Sequence, residues 1–163
     1  MKIIPLEEKH WLQVKFIYEE GIATGNATFE TEAPSWEKWN ASHLSFARIV
    51  AMENDEVLGW AALSKVSDRC VYAGVAEVSV YVKGNSRGKG VGSALLAALI
   101  SESESNNLWT LTAGIFPENN SSIHLHEKFG FRLMGRREHI GQMNGVWRDT
   151  LQFERRSKVV GVD

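Results

Sequence analysis

Hydrophobic positions along the chain recur with two different periods, and the changes between them mark the elements. Residues 77–82 alternate Glu77, Ser79 and Tyr81 with Val78, Val80 and Val82. A period of two, rich in β-branched residues, predicts a strand. From Val91 onward, Leu95, Leu96, Leu99 and Ile100 return at helical spacing with alanines between them. Between the two lie residues 84–92, which contain four glycines and cannot form a stable helix interior. The stretch therefore reads as strand, glycine-rich turn and helix.

The same reading extends over the rest of the chain. Residues 2–5 predict a short strand stopped by Pro5. Trp11, Val14, Ile17 and Tyr18 give a helix over 7–20, with Gly21 ending or interrupting it. Residues 24–34 are too polar for a core element and form a loop that presents one aromatic residue, Phe29. Ser35 caps a helix through Trp36, Trp39 and Leu44. A strand over 47–53, a turn at Asn54-Asp55 and a strand over 57–66 make a hairpin. Ser105-Asn106-Asn107 stops the long helix, and 108–115 predict another strand. Asn119 to Ser122 supply caps for a short helix over 123–129, closed by Gly130. A strand from Phe131 to about His139, the turn Asn144-Gly145 and a return strand over 146–154 follow, with a frayed tail after Arg155. The order β-α-α-β-β-β-α-β-α-β-β predicts an α/β fold with a mixed, mostly antiparallel twisted sheet flanked by helices. Its one parallel pair would come from the crossover between strands 77–82 and 108–115.

At 163 residues the chain makes one domain, with a core over about 2–155. Its net charge of −2 suggests no polyanionic partner, so nucleic acid is not expected. No stretch is long and apolar enough to span a membrane, and the N-terminus lacks the pattern of a signal peptide. A soluble cytoplasmic protein is the expectation. The single Cys70 excludes an internal disulfide and reads as a small buried or half-buried apolar residue. The five histidines show no metal-ligand spacing, so no metal is expected.

The glycine turn is where chemistry enters. A helix start offers backbone N–H groups without partners and a partial positive charge. Glycines let the backbone approach a ligand closely, and Arg87 and Lys89 add charge. A pyrophosphate suits such a site. The spacing is not that of a P-loop, because Lys89 falls where the second glycine should stand. It is not a dinucleotide fingerprint either, because Gly88, Gly90 and Gly92 run G-x-G-x-G.

Arg87-Gly88-Lys89-Gly90-Val91-Gly92 resembles the acetyl-CoA loop of the GNAT superfamily of N-acetyltransferases. So does the motif from Asn119 through His126-Glu-Lys-Phe-Gly-Phe131, and the element order agrees. Four further stretches resemble the phosphinothricin and methionine sulfoximine acetyltransferase subfamily: Thr28-Phe29-Glu30-Thr31-Glu32-x-Pro34, Arg69-x-x-Tyr72, Ala76-Glu77-x-Ser79-Val80-Tyr81-Val82, and Asn144-Gly-x-Trp147-x-Asp149.

The resemblance implies roles position by position. The backbone of Val80 and Val82 would pair with the pantetheine arm of acetyl-CoA. Arg87, Gly88, Lys89, Gly90, Val91 and Gly92 would hold its pyrophosphate, and Asn119 and Ser122 would contact the arm further along. Phe29, Thr31, Arg69 and Tyr72 match substrate-pocket positions. Glu77 matches the general base, and His126 is a candidate to assist departure of the thiolate. The implied partners are a small-molecule amine and a second copy of the chain in a homodimer. The implied reaction is acetylation of the α-amine of a small amino-acid analogue. Another amine (a polyamine, an aminoglycoside or a protein N-terminus) and a CoA-binding module without turnover are the alternatives.

Overall fold

The alternating stretches become seven strands of one sheet in the computed structural model, which describes residues 1–163. The strands are β1 (Lys2–Pro5), β2 (Ile49–Glu53), β3 (Glu56–Lys65), β4 (Val75–Val82), β5 (Thr110–Ile115), β6 (Arg132–Met143) and β7 (Val146–Arg156). They are ordered β1-β2-β3-β4-β5-β7-β6. Only β4 and β5 are parallel, joined by the helix between them as the crossover reading requires. The helices are α1 (Trp11–Ala23), α2 (Trp36–Ser42), α3 (Val91–Ser105) and α4 (Asn120–Lys128).

Strand alternation sends successive side chains to opposite faces, and each face has its own core. On one face Ile49, Ala51, Ala61, Leu63, Ala76 and Val78 pack with Leu95, Leu96 and Leu99 of α3. On the other, Val50, Trp60 and Ala62 pack with Val14 and Ile17 of α1 and Trp39 of α2. Tyr81 joins the second layer, stacked on Trp60 at 4.8 Å and on Tyr18 at 5.0 Å. Such pairs add about 0.5–1.5 kcal/mol each beyond the area they bury. The tight turns form where the sequence places them: Asn54 and Asp55 both have positive φ, as do Asn144 and Gly145, the conformation that matches strand twist in a two-residue hairpin.

Four expectations are corrected. Gly21 does not end α1, which runs on to Ala23. A Cβ at Gly21 would lie 2.6 Å from the Tyr81 ring, so the glycine serves close packing of helix on sheet. The second helix stops at Ser42, before Leu44, because the Trp39 carbonyl accepts from the Ser42 hydroxyl and from His43 Nδ1. The tail is not frayed after Arg155: the Ser157 N–H donates to the Trp109 carbonyl at 2.8 Å, and Arg156 donates to the carbonyls of Ser157 and Val160. Cys70 is exposed, because it stands on a 3₁₀ turn (Cys70–Tyr72) that projects between β3 and β4.

Candidate active site

The site begins where the parallel ladder fails. β4 and β5 pair through Val75 with Thr110, Ala76 with Leu111 and Glu77 with Thr112, and there the pairing ends. Beyond it, β4 keeps its β3 partners up to Val82, and β5 is paired to Ile115 only with β7. The two strands part, and the backbone polar groups of β4 on that side have no strand to answer them. Buried main-chain groups need partners, so this opening suits an extended ligand that carries amides. Val80 and Val82 are half-buried on its wall. A cleft of about 1320 Å³ runs through the opening.

The glycine turn closes one end. Gly88 and Gly90 have φ of +75° and +82°, which favours glycine, and a Cβ on either would meet nothing within 4 Å. The backbone there is bare toward the cleft. The first helical hydrogen bond of α3 runs from the Ala94 N–H to the Gly90 carbonyl at 3.0 Å. The N–H groups of Val91, Gly92 and Ser93 are therefore not used within the helix. These free donors, the helix dipole and Arg87 fit a pyrophosphate. Arg87, Gly88, Gly90, Val91 and Gly92 all line the cleft, whereas Lys89 is exposed and does not.

α4 forms the opposite wall. Asn119 caps it, its Oδ1 accepting the Ser122 N–H at 3.3 Å, and its Nδ2 donates to the Asn26 carbonyl at 3.1 Å. The cap thus ties α4 to the loop that carries Phe29. His126 is 4% exposed, and its Nδ1 donates to the Ser122 carbonyl at 2.7 Å. Burial pushes the pKa of this ring down, against a smaller upward pull from the Ser122 carbonyl. At neutral pH the ring is then uncharged, with its proton on Nδ1 committed to the helix and a bare Nε2. That state can accept a proton but has none to give, which argues against a donor role toward a departing thiolate.

Glu77 stands at the last paired position before the strands separate. Its side chain is open to solvent through the cleft. The surrounding protein still raises its pKa above the usual carboxylate value, and the charge of Arg137 opposes that rise. A raised carboxylate pKa suits a proton acceptor working near neutrality.

Phe29 packs edge-on against Phe116 with centroids 4.9 Å apart. A Cβ on Gly141 would lie 2.9 Å from the Phe29 ring, so glycine makes room for it. Arg148 of β7 lies over Phe116 at 4.2 Å and donates to the Gly25 carbonyl and to Asn26 Oδ1, each at 2.9 Å. Three residues expected in the substrate pocket lie elsewhere. Thr31 is exposed outside the cleft, and Arg69 and Tyr72 sit on the projecting turn, stacked on one another at 5.5 Å. In their place the structure brings Arg137, Ile140, Thr150 and Gln152 to the cleft. No group of three or more His, Cys, Asp or Glu side chains is placed to hold a metal.

The comparisons with known proteins converge on this geometry. The model of the acetyltransferase (GNAT) family matches residues 10–131. The chain is 33% identical over 147 residues to a phosphinothricin N-acetyltransferase of Streptomyces coelicolor, covering 85% of this chain and 86% of that one. Over 94 residues it is 39% identical to an L-methionine sulfoximine/L-methionine sulfone acetyltransferase of Pseudomonas aeruginosa, covering 58% and 55% of the two. A phosphinothricin acetyltransferase of Sinorhizobium meliloti, solved in complex with acetyl-CoA, superposes with a TM-score of 0.90 at 27% identity, over 99% of this chain and 91% of that one. With its parted strands, glycine turn and cleft carboxylate, the chain belongs to the acetyltransferase (GNAT) family and is an acetyl-CoA-dependent N-acetyltransferase.

Proposed function

We propose that the enzyme acetylates the α-amine of a small amino-acid analogue such as phosphinothricin, methionine sulfoximine or methionine sulfone. The observation that carries this reading is the position of Glu77, the last residue of β4 to pair with β5, at the apex of the opening and in one cleft with the glycine turn. Acetyl-CoA supplies the acetyl group as a thioester. Val80 and Val82 offer main-chain groups to its arm, and Arg87 and the turn glycines offer their donors to its pyrophosphate. Phe29 and Phe116 wall the substrate side.

An α-amine is mostly protonated at neutral pH and must lose a proton to be nucleophilic. Glu77 accepts it, directly or through water. Nitrogen then attacks the thioester carbonyl, the C–S bond breaks, and solvent protonates the CoA thiolate, a fair leaving group with a thiol pKa of about 8.5. His126 holds the Ser122 turn of α4 in place. The names of the relatives support the substrate class. The apolar side chains Val66, Val71 and Tyr72, at 50%, 65% and 46% exposure around the projecting turn, fit an interface with a second copy, and sedimentation would read a dimer.

The test is thiol release from acetyl-CoA, followed with a thiol-reactive dye. The amines are methionine sulfone, methionine sulfoximine, phosphinothricin, a polyamine, an aminoglycoside and a peptide with a free N-terminus. Turnover confined to the amino-acid analogues is the expected result. Turnover confined to the others would overturn the substrate class, and thiol release with none would mark a CoA-binding module.

A further inference from the structure

The β6–β7 hairpin carries six arginines, and five are committed within the chain. Arg132 pairs with Glu154, Arg136 with Asp149, Arg148 with Glu118 and Arg155 with Glu104. Arg156 donates to the carbonyls of the tail. Arg137 makes no such contact and lines the catalytic cleft.

Strand register places it. Glu77 faces Thr112, Gly114 faces Gln152, and Thr150 faces Arg137, so these residues share one face of the sheet. Gly114, between Glu77's strand and β7, has no side chain to rise between them. Two irregularities on β6 create the placement. Leu133 pairs with Phe153 but Gly135 pairs with Gln152, so Met134 is an extra residue. A one-residue slip exchanges the faces of everything after it, and Arg137 moves from the α3 face to the face of Glu77. Immediately after it, residues 138–140 bulge opposite Asp149 alone. The Asp149 carboxylate accepts from the His139 N–H at 2.8 Å and from Arg136 Nε at 2.7 Å, which fixes the bulge and with it the position of Arg137.

We propose that Arg137 anchors the α-carboxylate of the substrate, so that the enzyme selects amines that are also acids. The inference rests on the acetyl-transfer reading above. An α-amino acid carries its amine and its carboxylate on one carbon, and a carboxylate base facing a free guanidinium is complementary to that pair. Arginine recognises a carboxylate in a fixed fork geometry, and Thr150 and Gln152 beside it add polar contacts. The remaining cleft guanidinium, Arg87, sits on the glycine turn, away from the amine.

The experiment compares methionine sulfone with its α-carboxamide in wild type, Arg137→Met and Arg137→Lys. Arg137 is exposed, so the substitutions leave the core untouched. Wild type should favour the acid. Arg137→Met should raise the KM of the acid by about 10- to 100-fold, the range for losing a hydrogen-bonded charge partner, and leave the KM values of the amide and of acetyl-CoA alone. Arg137→Lys should recover part of the loss. An unchanged acid-to-amide ratio in Arg137→Met overturns the inference, as does an equal fall in kcat for both substrates, which would make Arg137 only a tuner of Glu77. Calorimetric titration of acid and amide into the CoA complex of wild type and Arg137→Met decides the point without turnover. A failure of the acetyl-transfer reading would instead show as absent thiol release in wild type.

Discussion

Glu77 and His126 line one cleft, yet their surroundings assign them different proton chemistry. Partial desolvation by the cleft walls raises the pKa of the Glu77 carboxyl, and burial lowers that of the His126 imidazole, because in each case the charged form loses water. Glu77 must be ionised to accept a proton, so activity should rise with pH through a value above 4.5. Glu77→Gln keeps the shape and removes the acceptor. We expect kcat/KM at pH 7 to fall by about 10²- to 10⁴-fold, with the defect shrinking as pH rises and solvent deprotonates more of the free amine. A profile of kcat/KM against pH at saturating acetyl-CoA reads this, and near wild-type activity at pH 7 would remove Glu77 as the base. His126 should leave a different trace. Were it the acid, kcat would fall as pH rises through the low pKa of the ring. We expect no such fall between pH 6 and 8, and His126→Gln should keep kcat within about tenfold of wild type, below the usual effect of removing an acid-base group.

Among the elements, the loop of residues 24–34 has no secondary structure of its own and is held by its neighbours. Arg148 fastens it through Gly25 and Asn26, the cap residue Asn119 adds the Asn26 carbonyl, and Gly141 leaves space for Phe29. Arg148→Ala should release it. The KM of the amine should rise several-fold and more, up to about tenfold for each hydrogen-bond equivalent lost, while the KM of acetyl-CoA stays put. Two-substrate kinetics would show the split, and an effect on acetyl-CoA alone would place Arg148 wrongly. Gly21→Ala probes the packing of α1 on the sheet. Its Cβ would meet a stacked Tyr81 ring at 2.6 Å, and overpacking of this kind costs about 1–3 kcal/mol, which a denaturant melt would register. These elements also show how far the sequence could be read. Strands, turn residues and helix caps were legible because each is a local signal: alternation, Asn-Gly, or a serine or asparagine ahead of an apolar run. The parting of β4 from β5 was not, because it depends on which neighbour each strand loses. Arg137 was missed for a related reason. By simple alternation it shares the face of Leu133, and only the extra residue at Met134 turns it into the cleft. Arg69 and Tyr72 matched a family motif, but the turn that carries them projects away from the cleft of their own chain.

Across the whole molecule, three histidines are held in their neutral form at three separate places. His10 lies ahead of α1 and is 6% exposed, His43 follows α2 and is half-buried against the Trp39 ring at 4.2 Å, and His126 lies within α4. Burial is the first cause of the lowered pKa in each. A lowered histidine pKa means that the unfolded chain takes up protons first as pH falls below 6.5, so the sign is fixed. The stability these sites contribute is complete above pH 6.5 and is lost as pH falls from there through their folded values. Glu77 and Glu102 act the other way, since partial desolvation raises both above 4.5, and they offset part of the loss only at the acid end of that window. Asp149, held down to about 2 by the His139 N–H, Arg136 and the His139 side chain, adds its own loss only below about pH 4, as its unfolded value is approached. The melting temperature should therefore be flat from pH 8 to 7 and fall between 6.5 and 5. Each kcal/mol lost should cost about 2–4 °C for a chain of this size. The slope should be shallower in His126→Gln, which has one neutral ring fewer to protonate, although its Tm at pH 8 should be lower because a buried partner of the Ser122 carbonyl has been altered. Thermal melts by circular dichroism at half-unit steps of pH provide the comparison. A wild-type Tm that holds steady from pH 7 to 5, or a His126→Gln slope equal to that of wild type, would show that these rings do not carry the acid sensitivity of the fold.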